Sequence, residues 1–580
     1  MARLLNDPSE FADESISGFV AAYSTIVRRV HGGVARVGEP VPGHVAVVIG
    51  GGSGHYPAFG GLVGEGLAHG AALGNIFASP SAQQVYSVAK SVHAGGGILL
   101  TYGNYMGDVL NFTRAQERLR AEGIPCETVV VTDDISSAPL GQMDKRRGIA
   151  GDLVVFKAAG AVADAGGSLA QVAAAARSAN ERTRSFGVAF SGLTLPGASQ
   201  PLFSVAEGRM AVGMGIHGEP GLREVSLPTA DELADLMTAE LLEERPETAT
   251  SNGDMRIAVL LNGLGSIKHE ELFVVYRRIV QLLEQAGCFV VQPVVGELVT
   301  SFEMAGVSLT FAWLDGDLER AWTAEATTPA FQRGSGIRTP RQAVAHETEP
   351  APAAASSPPT ATASSADAAQ VVLDCLEAIK STIDDNAEKL GQLDSIAGDG
   401  DHGIGMQRGS TAAAEAAAAA VREGAGAGTT LLRAADAWSD RAGGTSGLLW
   451  GIILSQLGAA FGDIVSPDLA ELARGIEAGE SEVVRFGKAK LGDKTMVDVL
   501  NPCAGSLAES ARRHLDLTEG LTIAADVAEA AASATADLLP LIGRARPHAE
   551  KSLGTADPGA QSLALVIRTV QHVLLERKKH

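Results

Sequence analysis

Short apolar runs that end in glycine, asparagine or aspartate recur along the first 331 residues. Four of them predict buried β-strands: 45–49, 97–102, 127–132 and 256–261. Alanine-rich stretches with helical spacing, such as 168–181 and 231–244, lie between these runs. Continuous apolar strands that alternate with helices are typical of an α/β domain whose sheet is covered on both faces. Such sheets bind ligands at the carboxyl ends of their strands, so we expect functional residues in the turns that follow them.

The pattern changes after residue 331. Residues 332–366 are rich in proline, alanine and serine, and we predict a linker because they can bury too little apolar surface to order themselves. An extended arm packed on a neighbouring domain is the alternative. Residues 367–580 keep helical spacing in eight segments joined by short loops, which predicts an all-α bundle or barrel. The segments are 371–390, 410–422, 429–439, 446–461, 467–477, 496–512, 521–539 and 560–576.

Charge and cysteine content narrow the class of protein. The net charge of −22 argues against nucleic-acid binding. The first 14 residues are acidic and lack the apolar run of a signal peptide, and no run of about 18 apolar residues is present to span a membrane. The four cysteines are far apart and form no CxxC pair, which predicts a reducing, cytoplasmic location and no structural zinc.

The stretch 393–406 is the strongest candidate for metal chemistry. It holds Asp394, Asp399 and Asp401, with glycines between and after them. Carboxylate oxygens are hard ligands that suit Mg²⁺, and three of them in one loop repel each other unless a cation is present. The sequence therefore predicts a loop that holds Mg²⁺ against a polyphosphate. A solvated acidic turn is the alternative.

Three glycine-rich turns carry the remaining candidates. His55 lies in the turn 50–57, Asp108 follows the second predicted strand, and His217 lies within 213–221. Two histidines and one aspartate on such turns make a plausible set of acid, base and nucleophile. Each histidine taken alone is also consistent with a structural role.

At these motifs the chain resembles the single-chain, ATP-dependent dihydroxyacetone kinase family. In the first half the resemblance covers 50–57, 104–112, 146–152 and 213–221. In the second half it covers 393–406, 443–447, 492–496 and 543–559. The resemblance implies two α/β subdomains in the first half, and an all-α barrel of eight helices that binds the nucleotide in the second.

The resemblance also implies roles for the first-half residues. His217 would attack the substrate ketone and hold it as a hemiaminal on its Nε2 atom. Asp108 would be the general base on the terminal hydroxyl, and His55 would hydrogen-bond the substrate and help form the hemiaminal. Gly52, Ser53 and Gly54 would line the pocket. A covalent adduct selects ketones over polyols such as glycerol, which have no electrophilic carbon.

In the second half, the resemblance implies that Asp394, Asp399 and Asp401 bind two Mg²⁺ ions that bridge the phosphates of ATP. Twelve further residues match positions that contact the nucleotide: His402, Gly403, Ile404, Gly405, Thr445, Ser446, Gly487, Met496, Arg544, Asp557, Pro558 and Gly559. Met496 also fits a core position, and Arg544 also fits a surface ion pair.

The sequence departs from the commonest family pattern near the ketone. The usual glutamate and second histidine of the first turn are Tyr56 and Phe59, and the usual lysine and threonine around Asn104 are Gly103 and Met106. This change is similar to that of the erythrulose kinases of the family. It favours erythrulose, of either enantiomer, over dihydroxyacetone as the substrate.

Two other functions remain open at this point. A ketose-sensing regulatory protein would need His217 but not all the aspartates, so their presence argues against it. Cyclising lyase activity on a flavin dinucleotide is known in some relatives. We further expect the helical domain to dock over the ketose pocket, either its own or that of the partner subunit in a homodimer.

Overall fold

The structure is a computed structural model that describes residues 4–198, 200–217, 219, 221–247, 255–334, 361–396, 400–442, 444–542 and 550–579. The chain forms two compact units, residues 1–345 and 346–580. Most of the predicted linker 332–366 lies outside the described residues. At its ends, residues 332 and 333 form a short strand, and a helix begins at Ala363 because the Thr362 side chain accepts a hydrogen bond from the Ser365 N–H.

Six strands form the first sheet, in the order β1-β2-β4-β3-β5-β6. The strands are β1 (Val27–Val30), β2 (Gly33–Arg36), β3 (Ala46–Ser53), β4 (Gly70–Ile76), β5 (Ile98–Gly103) and β6 (Cys126–Val131). The four strands from β4 to β6 in this order are parallel to one another, whereas β1 and β2 are antiparallel additions at one edge. Three of the four predicted strands are β3, β5 and β6, so their carboxyl ends meet at one edge of the sheet.

The second sheet has the order β11-β10-β13-β7-β8-β9, with β12 also paired to β10. Its strands are β7 (Thr183–Ala189), β8 (Arg209–Val212), β9 (Arg223–Ser226), β10 (Met255–Gly263), β11 (Cys288–Val290), β12 (Val294–Gly296) and β13 (Gly306–Trp313). Most of its neighbours are antiparallel, and only β11 and β12 run parallel to β10. Two short strands, β14 (Ala326–Thr327) and β15 (Gln332–Arg333), pair separately.

Helices cover both sheets of the α/β unit. They are α1 (Phe11–Ala22), α2 (Ala82–Val92), α3 (Met106–Ala121), α4 (Asp152–Asp164), α5 (Leu169–Glu181), α6 (Ala230–Glu243), α7 (His269–Gln285) and α8 (Gly316–Thr323). One core joins the inner faces of both sheets to α4, α5 and α8. A second core packs α2 and α3 on the first sheet, and a third packs α6 and α7 on the second sheet. Burial on both faces explains why the strands read as continuous apolar runs.

The second unit is a closed ring of eight helices among the residues described after 360. They are α9 (Ala363–Asp394), α10 (His402–Arg422), α11 (Ala427–Ala442), α12 (Gly444–Phe461), α13 (Leu469–Gly487), α14 (Val497–Arg512), α15 (Leu517–Ala534) and α16 (Pro558–Lys579). Each helix packs against the next, and α16 packs back on α9. The predicted eight-helix barrel is therefore confirmed. Because the chain runs up and down, α9 ends and α10 begins at the same end of the ring.

Within the described part of the chain, every helix is too short or too polar to cross a lipid bilayer.

Candidate active site

The glycine-rich turn after β3 is shaped by two aromatic rings. Gly54 has a φ of +103°, and a Cβ atom there would lie 2.8 Å from the Phe302 ring and 2.9 Å from the Phe77 ring. A Cβ atom at Gly52 would meet the Phe77 backbone at 2.9 Å. The Ser53 hydroxyl donates to the carbonyl oxygen of Gly74 at 2.6 Å, so it is used in holding the turn. Only glycine fits at these two positions, and the turn presents the next residue, His55.

His55 is buried and fixed by its neighbours. Its Nδ1–H donates to the Thr300 carbonyl oxygen at 2.7 Å, and its ring stacks on Phe77 with the centroids 4.7 Å apart. Burial, and then the adjacent His217, lower the pKa of His55 to about 3. His55 is therefore neutral near pH 7, with a lone pair on its Nε2 atom.

The structure brings His217 directly to this lone pair, since the two Nε2 atoms are 3.0 Å apart. The Nδ1 atom of His217 lies 3.1 Å from Oε1 of Glu219, and its backbone N–H donates to Oε2 of Glu219 at 2.9 Å. Burial alone would raise the pKa of Glu219, but its hydrogen bond to His217 and the charges of His217 and Arg147 lower it to about 2. Glu219 is thus a carboxylate that accepts from His217.

These contacts fix the protons of the histidine pair. Both Nδ1 atoms face acceptors without a proton, a carbonyl and a carboxylate, so both carry hydrogen. A hydrogen bond between the two Nε2 atoms then needs one proton between them. Moving that proton to His55 frees the His217 Nε2 lone pair for attack on a carbonyl carbon.

A chain of charges behind Glu219 was missed in the sequence. Arg147 lies 3.8 Å from Glu219 and 2.7 Å from Asp134, which follows β6 and is buried. Its neighbour Arg146 is fully buried and donates to both carboxylate oxygens of Glu244 at 2.6 and 2.7 Å. Arg147 and Glu219 lie within the motifs 146–152 and 213–221, but the sequence assigned no role to either.

Asp108 lies in the first turn of α3, which begins directly after β5 and its turn. Burial raises the pKa of Asp108 to about 6, although Ser79 and His217 oppose the shift. A carboxyl group with a pKa near neutrality is suited to accept a proton from a hydroxyl group. The structure therefore gathers His55, Asp108 and His217 at one end of the parallel strands, where the sequence predicted functional residues.

The four departures from the family pattern have different surroundings. Gly103 is the last residue of β5, and a Cβ atom there would lie 3.4 Å from the Tyr105 ring. Tyr105 in turn meets His217 edge to face with the centroids 4.5 Å apart, so Gly103 adjoins the ketone site. Met106 is exposed. The other two departures lie away from the histidine rings, because Phe59 belongs to the core between the sheets and Tyr56 packs on Phe19 of α1.

In the helical unit, two of the three predicted magnesium ligands are described. Asp394 is the last residue of α9, and its Oδ2 accepts from the His402 backbone N–H at 3.3 Å; Asp401 directly precedes α10. Asp399 lies outside the described residues. Among the residues that are described, no three His, Cys, Asp or Glu side chains are close enough to hold a metal. The magnesium site stays a prediction.

A third carboxylate lies near Asp394. Asp557 directly precedes α16, and burial together with the nearby Asp498 and Asp394 raises its pKa to about 7. Asp557 accepts a hydrogen bond from the Ala560 N–H at 2.7 Å. Hard carboxylate oxygens that destabilise each other's charge fit a divalent cation with bound phosphates.

The remaining predicted nucleotide residues that the structure describes lie at the end of the ring where α9 ends and α10 begins. His402 is buried and within 3.0 Å of the Ser562 hydroxyl on α16, and Met496 is buried at the start of α14. Ile404 is exposed, whereas Gly403 packs tightly on α9. The other positions are Gly405 in α10, Ser446 and Thr445 in α12, Gly487 at the end of α13, and Pro558 and Gly559 in α16. Arg544 lies outside the described residues.

Known proteins resemble the chain over both units. The Dak1 domain matches residues 17–330 and the DAK2 domain matches residues 396–572. An L-erythrulose kinase of Pectobacterium atrosepticum is 57% identical over 574 residues, which cover 99% of this chain and 97% of that protein. A D-erythrulose kinase of Mycolicibacterium smegmatis is 50% identical over 576 residues, 98% of each.

A solved structure shares the whole architecture. The dihydroxyacetone kinase of C. freundii in complex with AMP-PNP and Mg²⁺ is 31% identical, has a TM-score of 0.59, and is matched over 98% of this chain and 99% of that one. The α/β unit, the helical ring and these relatives define a phosphotransferase that acts on an alcohol group. The chain belongs to the single-chain dihydroxyacetone kinase family, which confirms the resemblance read from the motifs.

Proposed function

We propose that this kinase uses ATP to phosphorylate a terminal hydroxyl of erythrulose, held as a hemiaminal on His217. The pair of imidazoles with Nε2 atoms 3.0 Å apart carries the proposal, because it places a nucleophile beside a proton acceptor. The choice of erythrulose is supported by the two erythrulose kinases that are 57% and 50% identical. The missing side chain at Gly103, beside Tyr105, is consistent with a larger ketose. Dihydroxyacetone is the alternative.

The covalent step balances within the histidine pair. The shared proton passes to Nε2 of His55, and the lone pair on Nε2 of His217 forms a bond to the ketone carbon. The electron pair of the C=O π bond moves to the oxygen, which takes the proton from His55. His55 ends neutral, and His217 ends as a substituted imidazolium whose charge faces the Glu219 carboxylate. Glycerol has no carbonyl carbon, so it cannot form this adduct.

Phosphoryl transfer then uses Asp108. The Asp108 carboxylate takes the proton of the terminal hydroxyl group of the ketose. The oxygen of that hydroxyl group bonds to the γ-phosphorus of ATP, the bond from this phosphorus to the bridging oxygen breaks, and ADP leaves. Because the pKa of Asp108 is about 6, most molecules carry the base form at pH 7 to 8. Asp394, Asp399 and Asp401 would hold two Mg²⁺ ions, which supply neutralising charge to the phosphates when bound. Transfer requires the ketose and nucleotide to meet, within one chain or between the subunits of a homodimer.

Steady-state kinetics on a substrate panel tests the proposal. Purified protein with ATP and Mg²⁺ is given dihydroxyacetone, D-erythrulose, L-erythrulose and glycerol, and release of ADP is followed. We expect the highest kcat/KM with one erythrulose enantiomer and no turnover of glycerol. His217→Ala should abolish ketose turnover, whereas His31→Ala, an exposed histidine in the β1–β2 turn, should change little. The proposal would be contradicted if none of the ketoses supported release of ADP, or if His217→Ala kept full activity.

A further inference from the structure

Four residues in β5, just after it or packed beside its end carry a buried side-chain oxygen atom without a hydrogen-bond partner. Among the described residues, the buried side-chain oxygens Thr101 Oγ1, Tyr105 Oη, Asp108 Oδ1 and Asp152 Oδ1 have no hydrogen bond. Buried polar atoms in native proteins nearly always have a partner, so such a group indicates bound water or a ligand. Asp152 belongs to the motif 146–152, to which the proposed reaction assigns no role.

Two glycines bring Asp152 to this place. A Cβ atom at Gly148 would lie 2.5 Å from the Cα atom of Gly103 and 3.0 Å from Asp152 Oδ1, so the chain before α4 can touch β5 only without side chains there. Thr101 and Gly103 are two residues apart on β5 and so face the same side of the sheet. Asp152, the first residue of α4, is thereby buried beside the end of β5 with only 2% of its surface exposed.

The charged groups near Asp152 determine whether its carboxyl group is protonated and which atom can accept a hydrogen bond from it. Burial, and then the charges of Asp133 and Asp108, raise the pKa of Asp152 well above its ordinary value, which favours its protonated form. Asp133 already accepts from the backbone N–H groups of Ile149 and Gly151 at 2.9 and 2.8 Å. Oδ1 of Asp108 accepts from no group, which makes it the open acceptor.

The remaining charged groups are accounted for elsewhere. Arg147 pairs with Asp134 and faces Glu219, and all three influence the Tyr105 phenol rather than Asp152. Burial, and then Glu219, raise the pKa of Tyr105 well above its ordinary value, so its hydroxyl group stays protonated. Tyr105 and Thr101 can therefore each donate to, or accept from, a water molecule in this space.

We propose that Asp152 is a positioning residue for Asp108. The carboxyl group of Asp152 donates a hydrogen bond, through a buried water molecule held also by Thr101 and Tyr105, to Oδ1 of Asp108. This bond stabilises the ionised form of Asp108 and orients it to take the proton of the ketose hydroxyl. The inference rests on the proposed function, because it assigns Asp108 the role of the base.

The pH dependence of kcat/KM tests this role with two variants of Asp152. In Asp152→Asn the amide keeps a donor without a charge, so the acid limb should stay where it is in the wild type and kcat should fall by no more than about threefold. In Asp152→Ala the donor is lost, the pKa of Asp108 rises, and the acid limb should move up by about one pH unit. A purely structural role would lower activity without moving the limb.

A third variant of this space and one control variant, Asp108→Asn, keep the test decisive. Thr101→Val should move the limb upward less than Asp152→Ala does, and it serves as the measurement if the alanine variant does not fold. An unchanged acid limb in both Asp152→Ala and Thr101→Val would overturn the inference. Equal losses of activity in Asp152→Asn and Asp152→Ala would also overturn it. A lost preference between erythrulose and dihydroxyacetone with an unmoved limb would instead assign the space to a substrate hydroxyl. If Asp108→Asn retains turnover, the proposed function fails, whatever the Asp152 variants do.

Discussion

Replacing Glu219 by glutamine tests how the fold activates its nucleophile. Glu219 makes two contacts with His217: its Oε1 is 3.1 Å from Nδ1 and its Oε2 is 2.9 Å from the backbone nitrogen. The first fixes the ring with hydrogen on Nδ1, and it balances the charge that His217 carries after bonding to the ketone. Glutamine keeps the shape of the side chain but removes the charge, and it can also present an N–H donor to Nδ1, which favours the wrong tautomer.

The expected loss follows from the kind of bond. A hydrogen bond to a charged group contributes about 1.5–3 kcal/mol, and about 1.4 kcal/mol corresponds to a factor of ten. Glu219→Gln should therefore lower kcat/KM for erythrulose by about tenfold to a hundredfold. The pKa of Glu219 is about 2, so the wild-type side chain stays ionised from pH 5 to 9. The loss should accordingly be similar across that range.

Steady-state kinetics of the purified variant measures this loss. Glu224→Gln is the matched control, because Glu224 lies five residues further along, on β9, and is exposed; it should retain full activity. Equal unfolding temperatures of the two variants would exclude a general loss of structure. A kcat/KM of Glu219→Gln within twofold of wild type would refute the role of the carboxylate.

Two further predictions concern stability. A Cβ atom at Gly403 would lie 1.9 Å from the carbonyl oxygen of Ala387, so Gly403→Ala should separate α10 from α9 and lower the free energy of unfolding by about 1–3 kcal/mol. Gly405→Ala, two residues on and in open space, is its control in the same denaturant titration. Arg146→Met should cost about 1.5–3 kcal/mol, because it removes two hydrogen bonds to the partly buried Glu244 and leaves it only Arg184, at 3.7 Å. A change below about 1 kcal/mol in thermal unfolding would contradict the importance of this pair.

Local patterns predicted much of the architecture. The apolar runs at β3, β5, β6 and β10 were found because these strands are buried on both faces, and the eight helices of the ring were found because each keeps an apolar face at helical spacing. The antiparallel pairing of β7, β8 and β13 was not predicted. Register between distant strands depends on partners that lie far apart along the chain, and the short runs themselves do not specify them.

The site was predictable where its residues stand in glycine-rich turns. His55 and His217 stand in such turns and Asp108 begins the helix after β5; the structure places the three together, and their roles stay predictions. Glu219, Arg147 and Asp134 were missed because ion pairs form between residues far apart in sequence and the charged residues have no periodicity. Arg146, which belongs to the motif 146–152, is fully buried, although three consecutive basic residues at 145–147 are ordinarily solvated. From the sequence, Phe59 is expected to reshape the ketone pocket, whereas its ring packs in the core between the two sheets.

The most direct test of the covalent step is carbon-13 NMR of erythrulose labelled at its ketone carbon and bound to the protein without ATP. Attack by the His217 Nε2 atom converts that carbon from trigonal to tetrahedral, so its resonance should leave the ketone region when wild-type protein is added in excess. With His217→Ala the resonance should stay at its free position. A ketone resonance that persists in the wild-type complex, at concentrations that saturate binding, would contradict the hemiaminal.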